Sequence, residues 1–370
     1  MPDLLQPAED QELELLVTSD EGDLAYTGWE RVAVTRSIDA AAGSWEVEGA
    51  QARPWALRPG ARVEARLADE LVTVGYVDEF EASATGNELR IRASGRDATA
   101  DLVDCSAVNE PGQWFDVDLH ALARALAAPM GVPVRREVSL FSLEPVFETW
   151  VVQPGETAWT AIERAARMRG TTIYSGGDGA LVITRPGTLR TGLPLVMGAE
   201  GNVLTATMKS SHRERYSRYL VRGQRAGSDT GWGESVAAVE GSALDGAVAR
   251  ERPLLIIAEG SVAAEDANLR ARWEASFRAA RSQELEVVLQ GWRQGEGLPI
   301  WPVNALVDVD LPPLGLEARL LIRSARYTRG PEGTRTVLRL VREDAYVPQP
   351  ELPAESDPWA GILEDEVGLE

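Results

Sequence analysis

Cysteine is almost absent from this sequence, since Cys105 is the only one among 370 residues. A single cysteine excludes a disulfide within the chain and suits a reducing compartment. Long apolar runs are also missing, so the sequence predicts no membrane-spanning helix. Residues 1–10 have neither a basic start nor an apolar stretch, and we expect no secretory signal there.

Positive charge is scarce as well. The chain has 37 basic and 58 acidic residues, which gives a formal net charge of −21. DNA-binding proteins draw most of their affinity from Lys and Arg at the phosphates, so tight DNA binding is not expected. Lys209 is the only lysine. The preference for arginine fits a GC-rich genome, and it also fits subunit interfaces, where the planar guanidinium is favoured.

Residues that would indicate catalysis are few. The two histidines, His120 and His212, lie far apart and have no partner at metal-ligand spacing. Lys209 follows no phosphate-binding glycine loop, and no Gly-x-Ser-x-Gly motif occurs. Gly176-Gly177 and Gly231-Trp232-Gly233 are too short for nucleotide fingerprints and are interpreted as turns. We therefore predict no catalytic, cofactor-binding or metal residues, no cofactor, and no enzymatic activity.

The length predicts two to four domains. The first hundred residues predict short strands, because apolar or alternating runs are separated by glycine and proline. The runs are Glu12–Val17, Arg31–Thr35, Ser44–Glu48, Arg62–Leu67, Leu71–Val77 and Leu89–Ala93. Such spacing is typical of an antiparallel barrel or sandwich.

The middle of the chain predicts mixed α and β structure. Asp116 or Asp118 is expected to cap one helix, and Thr157 to begin a second helix that ends at Gly170. The glycine-rich residues 175–179 then predict the turn of a hairpin.

Strands are predicted again in the last part of the chain, at Val203–Met208, Tyr219–Arg222, Glu284–Gln290, Leu306–Val309, Arg319–Tyr327 and Thr334–Val341. Between them, Gly223–Gly246 is interpreted as a long loop and Ser261 as the cap of a third helix. Residues 348–370 are acidic and proline-rich, which predicts a flexible tail.

The two β regions share one order of features. In each, an alternating strand leads into a loop with Pro and Trp (Pro54-Trp55, Pro299 and Trp301), and a hairpin closes the region. Alternation alone is common to all β regions, but the shared order favours one fold used twice. The predicted fold class is β-rich α+β, with two similar antiparallel β-barrel domains, a mixed α/β middle domain and a helix-bearing insert. The expected bounds are an N-terminal segment 1–11, a first barrel 12–105, a middle domain 106–199, a second barrel 200–345 with an insert at about 224–282, and an acidic tail 346–370.

Residues Trp150–Ile162, which include Pro154-Gly155-Glu156-Thr157, resemble the opening of a LysM repeat, a small peptidoglycan-binding fold. A LysM repeat continues with a second helix and a strand, whereas a glycine-rich hairpin is predicted here. Sugar binding and a purely architectural role are both open on this evidence.

Residues 95–106 are Gly-Arg-Asp-Ala-Thr-Ala-Asp-Leu-Val-Asp-Cys-Ser. They resemble the Gly-Arg-x-x-Thr-x-Asp-Leu-Val-Asp-Cys-Ser signature of Mu-like phage baseplate hub proteins. Further blocks of that family are similar here in the same order: Pro154–Thr157 with Glu163–Arg167 and Arg169-Gly170, Val221–Gln224, Arg250–Pro253 with Arg272–Glu274 and Arg278–Arg281, and Gly291–Arg293 with Leu298–Trp301 and Asn304–Val307. The resemblance covers about residues 12–342 and leaves the acidic tail outside.

This resemblance implies a fold similar to that of the T4 phage baseplate hub and a structural role in a contractile tail. It implies a homotrimeric ring that joins a sixfold tail tube to a threefold central spike, with a channel through which DNA passes without specific binding. The implied partners are the tube protein, the spike protein and other baseplate proteins. The implied location is the virion tail baseplate, assembled in the bacterial cytoplasm without membrane insertion. A peptidoglycan-binding tail component, acting through the LysM-like segment, and a spike-like effector carrier are the alternatives.

Overall fold

The computed structural model describes residues 12–18, 22–50, 55–86, 88–110, 112–137, 146–187, 189–224, 239–261, 264–342 and 346. The N-terminal segment 1–11, Gly231-Trp232-Gly233 and the predicted flexible tail 348–370 lie outside the described residues. None of the described helices is both long and apolar enough to span a membrane.

The strands outnumber the helices, which confirms the predicted β-rich class. The strands are β1 Leu13–Val17, β2 Leu24–Tyr26, β3 Arg31–Ser37, β4 Ser44–Gly49, β5 Arg62–Leu67, β6 Glu70–Ala84, β7 Leu89–Asp97, β8 Gln113–Val117, β9 Val134–Arg136, β10 Phe147–Val151, β11 Thr172–Ser175, β12 Leu181–Thr184, β13 Leu189–Arg190, β14 Leu195–Val196, β15 Val203–Ser210, β16 Arg218–Gln224, β17 Val239–Leu244, β18 Pro253–Ser261, β19 Gln283–Gln290, β20 Ala305–Leu311, β21 Leu316–Gly330 and β22 Gly333–Arg342. The helices are α1 Ala100–Asp104, α2 Leu119–Ala127, α3 Ala158–Met168 and α4 Ala264–Ser282.

The first β region is an antiparallel sheet with the order β3-β4-β7-β6-β5-β1-β2. Its strands form because apolar residues alternate with polar ones, so that one face is buried. In β4, for example, Trp45 and Val47 are buried while Glu46 and Glu48 lie on the opposite face. The predicted strand Arg62–Leu67 has these bounds in the structure.

The second β region repeats the first in strand order. Its path β15-β19-β22-β21-β20 corresponds, in chain order, to β3-β4-β7-β6-β5. The fourth strand of each set, β6 or β21, has 15 residues. Each of these strands also has a bulge against its hairpin partner, at Asp78 in β6 and at Arg323 in β21. A shared order with a bulge at the same place is specific, because alternation alone fixes neither.

The two β regions, which the sequence analysis treats as separate domains, belong to one fourteen-stranded sheet. They join where the second half of β21 pairs with β3, from Ser324 opposite Ser37 to Arg329 opposite Val32. The first half of β21 pairs with β20 instead. A bulge bends and twists a strand, so the bulge at Arg323 allows one side of β21 to have two successive partners.

The middle of the chain is mixed, as predicted. Strands β11 and β12 form the predicted hairpin, and β9 pairs with β12 in parallel. Of the two candidate caps, Asp118 caps α2, because its Oδ1 accepts a hydrogen bond from the Ala121 amide at 2.7 Å. Asp116 instead lies in β8, with a φ of 48°. Thr157 caps α3 through its Oγ1, which accepts from the Thr160 amide at 3.2 Å.

The prediction that Gly223–Gly246 is a loop is wrong in its last part, because β17 occupies Val239–Leu244 and pairs with β16. The strand is hard to recognise from sequence since it contains Gly241, which packs against α4. A Cβ on Gly241 would lie 2.2 Å from the carbonyl carbon of Ala267. Ser261 also differs from its predicted role: it ends β18, and α4 begins at Ala264.

A buried polar network fixes the middle of the chain to the first β region. Asp97, at the end of β7, is fully buried and accepts hydrogen bonds from the Gly43 amide at 2.8 Å and the Ser175 hydroxyl at 2.7 Å. Arg36 donates to the carbonyls of Val72 and Ser175 at 2.8 and 2.7 Å. Burial raises the pKa of the Asp97 carboxyl, although the Arg36 charge and the two hydrogen bonds oppose that shift.

A second buried polar contact fixes the start of α3. The side chains of Glu156 and Arg164 form an ion pair at 2.9 Å and are only 5% and 8% exposed. Arg164 also donates to the Val151 carbonyl at 3.0 Å and lies over the Trp150 ring, 4.0 Å from its centroid. This contact ties the Pro-Gly-Glu-Thr turn to β10.

The Glu156→Gln variant should unfold more easily than the wild type, because it leaves the buried Arg164 charge without its counter-ion. We expect a loss of about 3 kcal/mol in the free energy of unfolding, measured by urea denaturation. Glu163→Gln on the same helix is the matched control, since its pair with Arg167 at 3.7 Å is partly exposed and contributes only about 0.5 kcal/mol. Equal losses in the two variants would contradict the assignment.

Asp97 should make the stability depend on pH. Its folded-state pKa is raised above the unfolded value of about 3.9, so its proton favours the folded state. That contribution is complete below about pH 4 and is lost as pH rises through the folded-state pKa. Asp97→Asn is uncharged throughout, so the unfolding free energy of the wild type minus that of the variant should fall as pH rises above about 4.

Urea titrations at several pH values measure this difference, and Asp23→Asn at an exposed position is the control. A wild-type advantage that grows with pH would show that the ionised carboxylate is the stabilising form.

Candidate functional site

The residues that sequence inspection considers for chemistry are not brought together. His120 lies on α2, where burial and the nearby Arg136 charge lower its pKa. His212 is exposed after β15, and its backbone carbonyl accepts a hydrogen bond from Arg252 at 2.8 Å. Over the part of the chain that the structure describes, no three His, Cys, Asp or Glu residues form a group that could hold a metal ion. Gly176-Gly177 forms the predicted turn, with the Gly176 amide bonded to the Ala180 carbonyl at 2.7 Å.

The signature segment 95–106 has an architectural arrangement. Arg96 donates to Asp78 at 2.7 Å and to Asp104 at 2.8 Å, which connects β6, β7 and the end of α1. Gly95 allows close packing, because a Cβ there would lie 2.0 Å from the Tyr76 carbonyl oxygen. Cys105 is exposed, and its carbonyl accepts the Ala158 amide at 3.2 Å, next to the start of α3.

The LysM-like segment departs from a LysM repeat after its first helix. Strand β10 pairs with β8, and the hairpin β11–β12 follows α3. The aromatic ring of Trp150 is buried against Phe147, with ring centroids 4.9 Å apart, and against Arg164. These side chains are occupied within the fold, which favours an architectural role.

Within the repeated strand order, two strand edges lack a partner strand among the described residues. The second half of β6, Glu79–Ala84, pairs with β7 on one side and with no described strand on the other. Strand β15 ends the sheet and pairs only with β19. Most of their side chains are exposed, while Phe80, Ala206 and Met208 are half-buried against the core. Unpaired backbone amides and carbonyls along such edges are suited to bind another strand.

These edges are the candidate functional site, and sequence reasoning missed them. Alternation identifies which face of a strand is buried but not which neighbour it pairs with. A signal was present in the repeat itself, because the edge of β6 matches the part of β21 that binds β3.

The exposed face of the continuous sheet forms a second surface. Side chains of opposite sign pair across neighbouring strands, as Arg31 with Glu48 at 3.6 Å and Arg339 with Glu286 at 3.1 Å. Arg92 pairs with Glu46, and Arg90 with Glu48 at 3.2 Å. Each of these arginines lies beside a carboxylate, so the cations named on this face are paired, which leaves fewer of them free for the phosphate contacts that nucleic-acid binding requires.

Comparisons with known proteins agree in one family. Residues 3–97 match the family described as Mu phage baseplate assembly protein GpP-like, N-terminal. Residues 99–185 match the second domain of baseplate hub protein gp44-like, and residues 263–349 match the fourth domain of Mu phage baseplate assembly protein GpP.

Whole-chain relatives give the same result. The chain is 34% identical over 342 residues to baseplate hub protein gp44 of Escherichia phage Mu, which covers 90% of this chain and 88% of that protein. It is similar to the crystal structure of the prophage MuSo2 43 kDa tail protein from Shewanella oneidensis, with a TM-score of 0.78 and 30% identity over 91% of this chain and 100% of that one. A tail protein from Neisseria meningitidis MC58 shares the fold, with a TM-score of 0.74 at 18% identity over 90% and 98% of the two chains.

The matched residues run in order from the first strands to the last hairpin, and the strand order beneath them is repeated within the chain. The chain belongs to the family of Mu-like phage baseplate hub proteins.

Proposed function

We propose that this chain is the structural hub of a contractile phage-type baseplate, where three copies form a ring between a sixfold tail tube and a threefold spike. The single observation that carries the proposal is the repeated strand order, β3-β4-β7-β6-β5 and β15-β19-β22-β21-β20. A chain that contains the same sheet twice presents six similar positions when three copies assemble. One end of the ring can thus match the sixfold symmetry of the tube, although the ring itself has threefold symmetry.

The proposed domains follow this repeat. Each β region acts as one barrel-like unit, with bounds of about 12–105 and 200–345, and residues 224–282 form the insert of the second. The middle domain, 106–199, is attached to this ring. Its LysM-like segment serves as packing between β10 and α3, because Glu156, Arg164 and Trp150 are all used inside the fold.

The exposed face of the sheet, with its cross-strand ion pairs, would line the channel. The guanidinium groups of Arg31, Arg92 and Arg339 are paired with carboxylates on neighbouring strands, so they would be less available to bind the phosphates of the DNA. DNA would then move through without being retained. The role requires no catalytic step.

The oligomeric state tests the ring directly. The purified chain should have three times the 40.1 kDa mass of one copy, measured by light scattering during size exclusion at several concentrations. A ring with obligate interfaces buries on the order of 2,000 Å² or more per interface, so dilution to low micromolar concentration should leave the trimer intact. A stable monomer or dimer would contradict the hub proposal.

The channel should not retain DNA. We expect no gel retardation of a short duplex by the trimer at about 0.15 M salt, where screening acts over about 8 Å. The Glu46→Gln, Glu48→Gln and Glu286→Gln triple variant frees arginines on the exposed face and should bind DNA measurably, with an affinity that falls as salt rises. Retardation by the wild-type protein under the same conditions would contradict a passive channel.

A further inference from the structure

We propose that the free edge of β6 in one copy pairs, in antiparallel register, with β15 of a second copy of this chain. The inference deepens the proposed trimeric ring and rests on it. It names the two backbone segments that join the copies, Glu79–Ala84 and Val203–Ser210, and it fixes which residues lie opposite each other.

The contact that exists within the chain supplies the geometry. Strand β21 binds β3 beyond its bulge, and β6 is the equivalent of β21 while β15 is the equivalent of β3. In β21 the side beyond the bulge is filled by β3, whereas in β6 the same side has no described partner strand. The same strand edge therefore occurs twice in the chain. In β21 it is paired with β3, and in β6 it has no described partner strand.

The register follows from the pairings already present. The bulges align Asp78 with Arg323, so that Ala82 corresponds to Tyr327. The paths β3-β4-β7 and β15-β19-β22 then align Val34 with Met208. Because Tyr327 lies opposite Val34, Ala82 of one copy lies opposite Met208 of the next.

The inner faces of the two edges agree with this register, which follows from backbone pairing alone. Phe80, Ala82 and Ala84 form the inner row of β6, next to buried Ala93 and Ile91 on β7. They would face Ser210, Met208 and Ala206, in that order. Met208 and Ala206 are half-buried against the core in the single chain, and a paired strand would complete their burial.

The outward-facing side chains of the two edges carry opposite charges. Glu81 comes to lie opposite Lys209, the only lysine of the chain, and both side chains are exposed. At the bulge, the internal joint has Arg323 bonded to Asp39. The equivalents at the joint between copies are Asp78, which also accepts from Arg96 within the chain, and Arg213, so opposite charges again meet there with their signs exchanged. One edge is acidic and the other basic, which favours binding between unlike edges over self-pairing.

The contact is not made within one chain, because β15 pairs only with β19 and lies seven strand-to-strand steps from β6. Two different edges that bind head to tail give a closed ring when the rotation closes. Each copy then contributes eight strands to one continuous sheet.

Cysteine cross-linking tests the register in the full-length chain, with Cys105→Ser as background because that thiol is exposed. Two double variants are in register, Ala82→Cys with Met208→Cys and Ser83→Cys with Thr207→Cys. They are adjacent pairs, so one of them is a non-hydrogen-bonded pair with closely spaced Cβ atoms. The control, Ala84→Cys with Ser210→Cys, uses the same face but is four residues out of register.

Mild oxidation of the trimer should convert at least one in-register variant into a covalent trimer on a non-reducing gel. On the order of tenfold more of it should form than in the control, because a disulfide requires Cβ atoms about 4 Å apart. A trimer that cross-links in neither in-register variant, or best in the control, would overturn the strand pairing while leaving the ring itself standing. A chain that remains monomeric by light scattering would overturn both, and the two failures are thus distinguishable.

A charge exchange provides an independent readout. Lys209→Glu alone should weaken the trimer, seen as a mass that falls on dilution at concentrations where the wild type stays trimeric, and adding Glu81→Lys should restore it. Lys209→Glu combined with Glu332→Lys, at the exposed turn between β21 and β22, is the control that should not restore it. Equal recovery in both double variants would contradict the pairing of Glu81 with Lys209.

Discussion

Backbone pairing along β21 is the constraint on which the rest of the structure depends. This strand is hydrogen-bonded to β22 along most of its length, and its other side is shared between β20 and β3. An unpaired edge of this length would expose amides and carbonyls that bind any available strand. The bulge at Arg323 resolves the problem, because it bends the strand enough to pass from one partner to the next. The same bend in β6 leaves an edge without a described partner strand, and this is the edge proposed to bind a second copy.

Several buried polar side chains connect separate elements of the fold. Asp97 connects β7 with the β3–β4 turn and the β11–β12 hairpin, while Arg215 pairs with Asp245 at 2.6 Å beside β16. Breaking such a buried contact leaves a charge without a partner in a medium of low dielectric constant, which makes the arrangement of domains specific. In the proposed ring, such buried contacts would keep the domains in a fixed arrangement between the tube and the spike.

Much of the fold could be predicted from the sequence, and the limits have physical causes. Alternation identified Arg62–Leu67 with correct bounds, and the cap at Thr157 fixed the start of α3, because both signals are local. Strands β6 and β7 extend further than predicted, to Ala84 and Asp97. In β6 the bulge at Asp78 shifts the alternation, and in β7 the buried row ends in Gly95 and Asp97 instead of apolar side chains. The strand inside Gly223–Gly246 was missed because Gly241 interrupts its pattern. The pairing of β21 with β3 could not be predicted, because the alternation within a strand does not show which distant strand it pairs with, here some 300 positions away. The candidate edges were missed for the same reason, although the shared order of the two β regions was visible.

The most direct measurement is an electron cryomicroscopy reconstruction of the purified ring, refined with threefold symmetry only. If the two β regions occupy six similar positions, a rotation by about 60° should superpose the joint between β21 and β3 on the joint between β6 and β15 of the next copy. Both joints should then show the same strand order and the same register. A map in which only one of the β regions borders the central axis, or in which β6 and β15 stay unpaired, would contradict the six-position ring.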